Sequence, residues 1–449
     1  MDTHPNAPSP SVSDKGAARR ASVPRSAHAA WSPPADRPDP VQILIDQGRE
    51  RIPRLLPLRY ARMKADPFAF LRGAAAIMAF DLASTPASGL RVQSCGDCHL
   101  ANFGSYATPE GTPVFDVNDF DETLPAPFEW DVKRLATSLA VAARVASYSE
   151  TATRKLARTA AHSYRRHMAA LAGLSPFAAW STRIDLVGAI DEVAEPRLRR
   201  RLQKRLEAVL TSGHEQFGLV GRKSNRWTIR DKPPLVTHSE VDQLHAEHAF
   251  ASYAATLQED RRVLLSRYAL RDVAMKVVGI GSVGTFCAVG LFVSADRWPL
   301  LLQVKEAVAS VLAPYAGASA YANHGERVVV GQRMMQAATD VFLGWTETPI
   351  EGRHFYVRRL KDSRLADIGT MIEAALPFYA ELCGRTLARA HARSGPSAAI
   401  ADYLGHGPAF DEAVADFAMA YADQTERDWT AFCAAIEEGR IPAAEPDAT

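Results

Sequence analysis

Two polar segments close together in the chain, residues 95–104 and 115–122, constrain its fold and chemistry more than any other stretch. The first contains Asp97 and, five residues later, Asn102, and the second contains four carboxylates within eight residues. In phosphoryl transfer, one carboxylate positions the attacking hydroxyl and accepts its proton, while an Asn and a further Asp hold the magnesium ion at the nucleotide phosphates. The two segments therefore predict a phosphoryl-transfer site.

The bulk properties of the chain limit the classes of protein to which it can belong. A chain of 449 residues is too long to form one small core, so we expect two lobes. Its content of 47% apolar and 23% charged residues is ordinary for a globular protein. A net charge of +1 argues against a broad nucleic-acid-binding surface. No apolar run approaches the roughly 18 residues of a membrane span, and five unpatterned Cys fit a reducing compartment. We expect a cytoplasmic protein that binds neither nucleic acid nor membrane.

Shifts in composition and hydrophobic period divide the chain into four regions. Residues 1–40 have almost no large apolar side chains and are expected to form a disordered tail. Residues 41–255 are mainly helical and carry the two polar segments. Residues 256–362 change to the period of strands, and residues 363–449 return to helix and complete the large lobe. The predicted fold is α+β, with a small antiparallel sheet lobe and a large helical lobe.

A glycine-rich turn between two predicted strands is the main feature of the β-rich region. The strands are expected at residues 272–278 and 288–293, and a third strand, residues 299–305, ends at Lys305. The turn residues that would approach phosphates are Gly279, Gly281, Ser282 and Gly284. Backbone amides in such a turn contact phosphates closely, and a Lys at the end of a following strand neutralises them. This pattern predicts a nucleotide site.

The glycine spacing by itself, G-x-G-x-x-G, is shared by dinucleotide-binding folds and protein kinases. A dinucleotide site requires a helix that begins at the last Gly, so that the helix N-terminus faces the pyrophosphate. Here β-branched and aromatic residues continue after Gly284, as in a strand. The kinase-like arrangement is therefore favoured over the dinucleotide arrangement, and a structural hairpin unrelated to either stays open.

Two short motifs resemble other functional signatures. Residues 273–276, Val-Ala-Met-Lys, resemble the V-A-I-K signature of kinases, but they precede the glycine turn, whereas the phosphate-pairing Lys belongs after it. Cys95 and Cys98 have C-x-x-C spacing, but a structural zinc site needs a second ligand pair, and the sequence offers no clear one. Lys305 therefore stays the candidate, and metal or redox use of the thiols is the less favoured alternative. His99 is expected to order its loop.

Three further side chains have two interpretations each. Glu326, in a helix predicted over residues 323–336, either pairs with the Lys at the strand end or is solvated. Asp131 lies where it would cap the helix that follows, and alternatively it braces the Asp97 loop. Arg72 either faces a phosphate or pairs with a carboxylate.

Six segments together carry a family resemblance: residues 62–73, 95–104, 115–122, 281–284, 303–306 and 331–333. Over about residues 45 to 440, the chain resembles the bacterial family called domain of unknown function 2252. This resemblance implies no established substrate. The family pattern usually has Glu where this chain has Val330, which leaves the partner of Lys305 open.

Residues 96–102 are also similar to the Gly-Asp-x-His-x-x-Asn loop of aminoglycoside and choline phosphotransferases, and residues 118–121 resemble their Ile-Asp-Phe-Glu metal segment. The roles that this resemblance implies are catalytic base for Asp97, magnesium ligand for Asn102 and second metal carboxylate for Asp119. Asp116 competes with Asp119 because its spacing from Asn102 is the more usual one, whereas the interval to the following helix slightly favours Asp119.

In those enzymes the glycine loop and the Lys come first and the Asp loop comes later, and here the order is reversed. Residues 382–391 resemble the helix that directly precedes the catalytic loop in such kinases. A circular permutation would join that helix to the Asp97 loop, and permutations survive where the old termini were adjacent and exposed. The resemblance implies a circularly permuted, protein-kinase-like fold with two lobes.

The leading hypothesis is a kinase-like phosphotransferase that uses ATP and Mg2+ to phosphorylate an unidentified small-molecule or protein acceptor. The alternative is a pseudokinase-like module that binds nucleotide without transfer. A third and weaker hypothesis, an NAD-dependent oxidoreductase, predicts a helix after Gly284. The acceptor and the oligomeric state stay open.

Overall fold

The structure, a computed structural model, describes residues 13–212, 218–223, 226–238, 240–277, 279–347, 349–360 and 375–444. Helices form most of the chain on either side of a β-rich region. They are α1 (Ser13–Ser22), α2 (Pro40–Gly48), α3 (Leu56–Lys64), α4 (Pro67–Gly73), α5 (Ala75–Ala83), α6 (Phe128–Val145), α7 (Glu150–Ala172), α8 (Pro176–Ser181), α9 (Leu186–Asp191), α10 (Pro196–Ser212), α11 (Glu240–Tyr253), α12 (Glu259–Leu265), α13 (Ala313–Ala316), α14 (His324–Met335), α15 (Leu376–Ala392), α16 (Ser397–Leu404) and α17 (Ala409–Glu437).

The described strands pair in an antiparallel sense. They are β1 (Arg91–Ser94), β2 (Phe103–Ala107), β3 (Pro113–Val117), β4 (Leu124–Pro127), β5 (Val220–Lys223), β6 (Arg226–Ile229), β7 (Val236–Thr237), β8 (Tyr268–Lys276), β9 (Cys287–Ser294), β10 (Pro299–Ala307), β11 (Gly344–Trp345) and β12 (His354–Arg359). Six of them form one sheet in the order β11-β12-β10-β9-β8-β7, and the remaining strands form the pairs β1–β4, β2–β3 and β5–β6.

The six-stranded sheet is covered on both faces. On one face, Leu302 of β10 packs in a cluster with Phe250 of α11, and on the other, Leu301 packs in a cluster with Ile229 of the β5–β6 hairpin. Successive side chains in a strand point to opposite faces, so an apolar run through β10 indicates a strand that is buried on both sides. The same alternation places Lys305 on the face of Leu301.

The helical body is built around α6, which contacts α7, α15 and α17. Fifteen of its 18 residues are buried, including the charged residues Lys133 and Arg134. A helix that is buried nearly all round lies in the centre of a core rather than on its surface. Inside the protein, Arg134 forms an ion pair with Asp97, and the Lys133 ammonium lies over the ring of Phe417.

The structure confirms the α+β class with small antiparallel sheets. The predicted boundary at residue 255 separates β7 from the sheet to which it belongs, since Val236 of β7 pairs with Lys276 of β8. The boundary predicted at residues 362–363 lies outside the described residues. In the described part of the chain, no helix has the length and apolar character needed to cross a membrane.

From residue 13 onward, the N-terminal segment differs from the disordered tail that we predicted. His28 is fully buried, and its Nε2 lies 2.7 Å from the hydroxyl oxygen of Tyr403. Arg37 forms ion pairs with the buried carboxylates of Asp81 and Asp428. Composition misleads here because a few side chains attach the segment: the polar bonds of His28 and Arg37, and the ring of Trp31, which packs against Tyr421.

Candidate functional site

The loop that carries Asp97 is held by the start of α6. Asp131 accepts hydrogen bonds from the backbone N–H groups of Cys95, at 2.8 Å, and Gly96, at 3.1 Å. Gly96 has φ +83°, and a Cβ at this position would overlap the carbonyl of Glu122, so only Gly fits without strain. Since α6 begins three residues before Asp131, this carboxylate braces the loop rather than capping the helix.

Asp97 is a partly exposed carboxylate with a fixed orientation. Arg134 Nε donates to its Oδ1 at 2.6 Å and completes an ion pair, and Arg134 also donates to the Leu71 carbonyl at 2.9 Å. Asn102 donates through Nδ2 to the backbone carbonyl of Asp97 at 2.7 Å, which leaves its side-chain oxygen for a metal. The loop thus presents one carboxylate and one amide oxygen from constrained positions.

His99 orders the same loop from inside. Its backbone N–H donates to the Asp97 carbonyl at 2.8 Å, and its ring Nε2 lies 3.7 Å from Asp97 Oδ2. Burial lowers the pKa of His99 to about 4, although the nearby Asp97 opposes this shift. The imidazole is therefore neutral at pH 7, in agreement with the predicted structural role.

The carboxylates of residues 115–122, here called the acidic segment, lie in two places: some line a cavity, and one is buried elsewhere. A cavity beside the loop is lined, together with Asp97, by Asp119, Asp121 and Glu122. Asp116 is 1% exposed and lies elsewhere, where it accepts bonds from the backbone N–H of Ala337 at 2.9 Å and pairs with buried Arg389. Of the two alternative metal carboxylates, only Asp119 lies at the cavity.

The glycine turn covers this cavity from the opposite side. Gly281 and Ser282 line it, and a Cβ on Gly281 would lie 4.0 Å from Asp97 Oδ2. Ser282 Oγ donates to Asp121 Oδ2 at 3.4 Å. The cavity between the two segments has a volume of about 40 Å³, which is space for about one water molecule. The two distant segments therefore meet face to face.

The outer glycines of the turn are held by the N-terminal helices. A Cβ on Gly279 would lie 4.0 Å from Arg72 Nη2, and the carbonyl of Gly284, which has φ +94°, accepts a bond from the Ile52 backbone at 2.7 Å. The chain after Gly284 forms β9. This strand contradicts the NAD-dependent alternative, which requires a helix there.

Lys305 is directed toward the acidic segment. Its Nζ forms an ion pair with Asp121, whose Oδ1 accepts a bond from the Tyr356 hydroxyl at 2.7 Å. Burial disfavours the charged amine, but the carboxylates of Asp119 and Asp121 outweigh burial and raise the pKa of Lys305. The amine is therefore charged and lies near Asp119, one of the two carboxylates predicted as alternatives for the metal.

The ion-pair partner of Lys305 is Asp121 and not the predicted Glu326. Glu326 lies in the first turn of α14, where its backbone N–H donates to the Asn323 side chain at 3.2 Å. The next residue, Arg327, attaches this helix to the acidic segment by donating to the Asp121 carbonyl at 2.7 Å. The acidic segment itself therefore reaches the sheet and supplies the carboxylate.

Glu122 differs electrostatically from the other acidic residues at the cavity. Burial raises the pKa of its carboxyl to about 7, although the bond that it accepts from the Val311 backbone at 2.7 Å opposes the shift. An unfolded Glu titrates near 4.5. The protonated Glu122 carboxyl therefore makes its full contribution to the stability of the folded state below about pH 4.5. This contribution is lost as the pH rises through about 7.

We expect Glu122→Gln to flatten the pH dependence of stability. In metal-free buffer between about pH 5 and 7.5, the wild-type free energy of unfolding should fall by about 2 kcal/mol more than that of the variant. Chemical unfolding at several pH values measures this difference. Glu247→Gln, at an exposed position, is the matched control and should follow the wild type. Parallel curves for wild type and Glu122→Gln would contradict the assignment.

Three arginines from the N-terminal part of the chain line the cavity: Arg51, Arg59 and Arg72. Arg51 donates to the carbonyls of Gly281 at 3.0 Å and Val283 at 2.7 Å. Arg59 is 1% exposed, and burial lowers its pKa to about 9. Within the described residues, Arg59 Nε and Nη1 and Arg72 Nε are buried without a hydrogen-bond partner.

The two cysteines of the loop are buried beside Asp131. Cys95 and Cys98 place their sulfurs, with a carboxylate oxygen of Asp131, within 4.8 Å of one another. Burial raises the pKa of Cys98 to about 11 and also raises the pKa of Cys95. Metal binding requires thiolates, and Asp131 is engaged by the loop backbone. The geometry therefore favours two buried thiols over a metal or redox site.

The helix predicted to lie beside the Asp97 loop does so. Tyr379 of α15 donates to the carbonyl of Leu100 at 2.9 Å, across 279 positions in the sequence. His391 Nε2, at the other end of α15, lies 3.1 Å from Asp131 Oδ2. The C-terminal helix thus supports both ends of the loop.

Sequence reasoning missed four residues of this site: Arg51, Arg59, Arg134 and the pairing role of Asp121. Arg134 had a usable signal, because a charged pair with Lys133 interrupts an apolar helical run. The arginines of the N-terminal helices had none, since exposed arginines occur at similar spacing throughout this chain.

The chain matches the model of a family described as "Uncharacterized protein conserved in bacteria (DUF2252)" over residues 51–435. No curated protein and no solved structure matches the chain. The matched region contains the Asp97 loop, the acidic segment, the glycine turn and Lys305.

Proposed function

The chain belongs to this family of uncharacterized bacterial proteins, and we propose that it is a kinase-like phosphotransferase that uses Mg-ATP to phosphorylate a hydroxyl or amine. The observation that carries the proposal is the shared cavity. Asp97 and Asp119 line it from one side and Gly281 and Ser282 from the other, with the charged Lys305 beside them. Phosphoryl transfer needs these groups together because its catalysis is mainly positioning and charge stabilisation.

The order of elements supports a circularly permuted kinase-like arrangement. The glycine turn, β9, β10 with Lys305, α14 and β11–β12 follow one another, and α15 then leads away from the sheet. Tyr379 and His391 of α15 contact the loop of Asp97 and its brace. An unpermuted kinase would continue from this helix directly into the catalytic loop, whereas here the first half of the chain supplies that loop.

Asn102 of the Asp97 loop and Asp119 of the cavity wall fit Mg2+ by their chemistry. The side-chain oxygen of Asn102 and the carboxylate of Asp119 are hard oxygen donors, and Mg2+ binds one or two carboxylates together with substrate phosphates. Asn102 and Asp119 would hold the ion, which would supply positive charge to neutralise the phosphates.

The roles of the side chains follow from their contacts. Asp97, oriented by Arg134, would position the acceptor and take its proton as the acceptor bonds to the γ-phosphorus and the bond from that phosphorus to the bridging oxygen breaks, which releases ADP. Lys305 supplies the positive charge that pairs with phosphate oxygens. Backbone N–H groups of residues 279–284 approach the phosphates because no Cβ stands in the way at the glycines.

The nucleotide requires an open form of the site. The cavity volume of about 40 Å³ is far below the several hundred Å³ typical of a ligand pocket. The contact that must give way is between the glycine turn and the acidic segment, where Ser282 Oγ and Asp121 are 3.4 Å apart. This hydrogen bond is long and can break at low cost, whereas the bonds from Arg51 and Ile52 keep the turn attached to the N-terminal part of the chain.

A thermal-shift titration with ATP tests the proposal. Mg-ATP should raise the melting temperature by several degrees, because a ligand at about 100 times its Kd stabilises by about 2.7 kcal/mol. Asp119→Asn should lose the magnesium-dependent part of this shift. Asp296→Asn, in the exposed turn between β9 and β10, should keep it. No stabilisation of the wild type at millimolar Mg-ATP would rule out the proposed nucleotide site.

One observation favours the alternative, a pseudokinase-like module that binds nucleotide without transfer. Arg134 occupies Oδ1 of Asp97, so one of the two oxygens that could take the proton of an acceptor is already engaged. The two functions differ in turnover and not in nucleotide binding, so substitution of Asp97 separates them.

A further inference from the structure

Two guanidinium groups at the cavity have hydrogen-bonding capacity that the protein does not use. Arg59 Nη2 donates to the Gly73 carbonyl at 2.8 Å, but its Nε and Nη1 are buried and unpartnered in the described part of the chain. Arg72 Nε is also buried without a hydrogen-bond partner among the described residues. Buried donors are almost always satisfied by protein, water or ligand. Three unsatisfied charged donors at one cavity indicate a ligand.

Two of the four carboxylates that line the cavity have cations of their own. Asp97 is paired with Arg134, and Asp121 is paired with Lys305. Neither Arg59 nor Arg72 forms an ion pair within 4.0 Å with any carboxylate of the described residues. The positive charge of the two arginines is therefore available to an anion from outside.

We propose that Arg59 and Arg72 form an anion-binding subsite that receives a phosphoryl group in this cavity. The guanidinium fork matches the oxygens of phosphate, and N–H groups from two arginines approach from different helices, α3 and α4. The subsite also borders the glycine turn, since a Cβ on Gly281 would lie 3.3 Å from the Arg72 carbonyl. In the open form of the site, the phosphoryl group would thus lie between the N-terminal helices and the turn.

The phosphoryl group has two possible sources, the terminal phosphate of a nucleotide or a phosphate that the acceptor already carries. This assignment of source rests on the proposed function, whereas binding of the anion does not. Both sources present the same oxygens to the same arginines.

Titration with inorganic phosphate in EDTA tests the subsite without nucleotide or metal. Phosphate should bind the wild type, measured by calorimetry and by thermal shift, and Arg59→Gln and Arg72→Gln should each weaken its affinity about tenfold. Arg267→Gln, at an exposed position, should bind as the wild type does. Because Arg59 is buried, Arg59→Lys serves as a second variant that keeps the charge, and it should retain more affinity than Arg59→Gln.

A second titration identifies the source. If the terminal phosphate of the nucleotide occupies the subsite, the two Gln variants should weaken Mg-ATP binding about tenfold and leave Mg-ADP binding unchanged. If a phosphate of the acceptor occupies the subsite, the two Gln variants should bind Mg-ATP and Mg-ADP as the wild type does. In saturating Mg-ADP, these variants should bind inorganic phosphate more weakly than the wild type. Equal phosphate responses in wild type, Arg59→Gln and Arg72→Gln would overturn the subsite. Failure of ATP binding with retained phosphate binding would overturn only the proposed phosphotransferase.

Discussion

Asp97→Asn should lower ATP-dependent phosphoryl transfer by about 10²- to 10⁴-fold, the range expected when a positioned proton acceptor is removed. Asn has nearly the size of Asp but cannot take the proton of the acceptor. Asn102, Asp119 and Lys305 are unchanged in the variant, so Mg-ATP should still raise its melting temperature. ATP hydrolysis, which needs no identified acceptor, provides the first measurement, and transfer to candidate alcohols provides the second.

The control for this experiment must separate chemistry from folding. Asp97→Asn leaves Arg134, which is 2% exposed, without its anionic partner. The melting temperature and the nucleotide affinity of the variant must therefore be measured together with its turnover rate. Asp296→Asn makes the same chemical change at an exposed position and should turn over like the wild type. Equal turnover in wild type and Asp97→Asn, with nucleotide binding intact, would instead identify a binding module.

Asp116→Asn is expected to destabilise the fold by about 3–5 kcal/mol, the usual cost of breaking a buried ion pair on one side. Asp116 and Arg389 are each 1% exposed, and Asp116 also accepts bonds from the backbone N–H groups of Val117 and Ala337, both at 2.9 Å. It therefore joins β3, the segment after α14, and α15. Urea unfolding of wild type and variant measures the loss.

A second substitution tests the cause of this loss. Arg389→Met in the Asp116→Asn background removes the uncompensated guanidinium, so the double variant should be less destabilised than the sum of the two single variants. Asp296→Asn, in the exposed turn between β9 and β10, is the matched acidic control and should leave the unfolding free energy nearly unchanged. A loss below about 1 kcal/mol for Asp116→Asn would contradict its structural role.

Much of the fold could be predicted from local pattern. The three strands around the glycine turn, the helix over residues 323–336 and the long C-terminal helices occur where period and turn residues predicted them. The N-terminal segment was the main error. In its ordered part, His28 contacts Tyr403, 375 positions away, and Arg37 contacts Asp81, 44 positions away, and composition contains no information about such partners.

The candidate site was predictable in its members but not in its pairings. Residue type and spacing predicted two separate local groups, one with Asp97, Asn102 and Asp119 and the other with the glycine turn and Lys305, because the members of each group are close together in sequence. Spacing in the sequence allowed either Asp116 or Asp119 as the second metal carboxylate. Burial beside Arg389, 273 positions from Asp116, places only Asp119 at the cavity.

The sequence by itself determined the secondary structure around the site and the chemical types that it contains, because both depend on neighbours within a few residues. Only the tertiary structure decided that Lys305 pairs with Asp121, 184 positions away, that Arg134 orients Asp97, and that Arg59 and Arg72 face the same cavity unpaired. Ion-pair partners and burial depend on which distant segments the fold brings into contact. No local pattern of residues encodes those contacts.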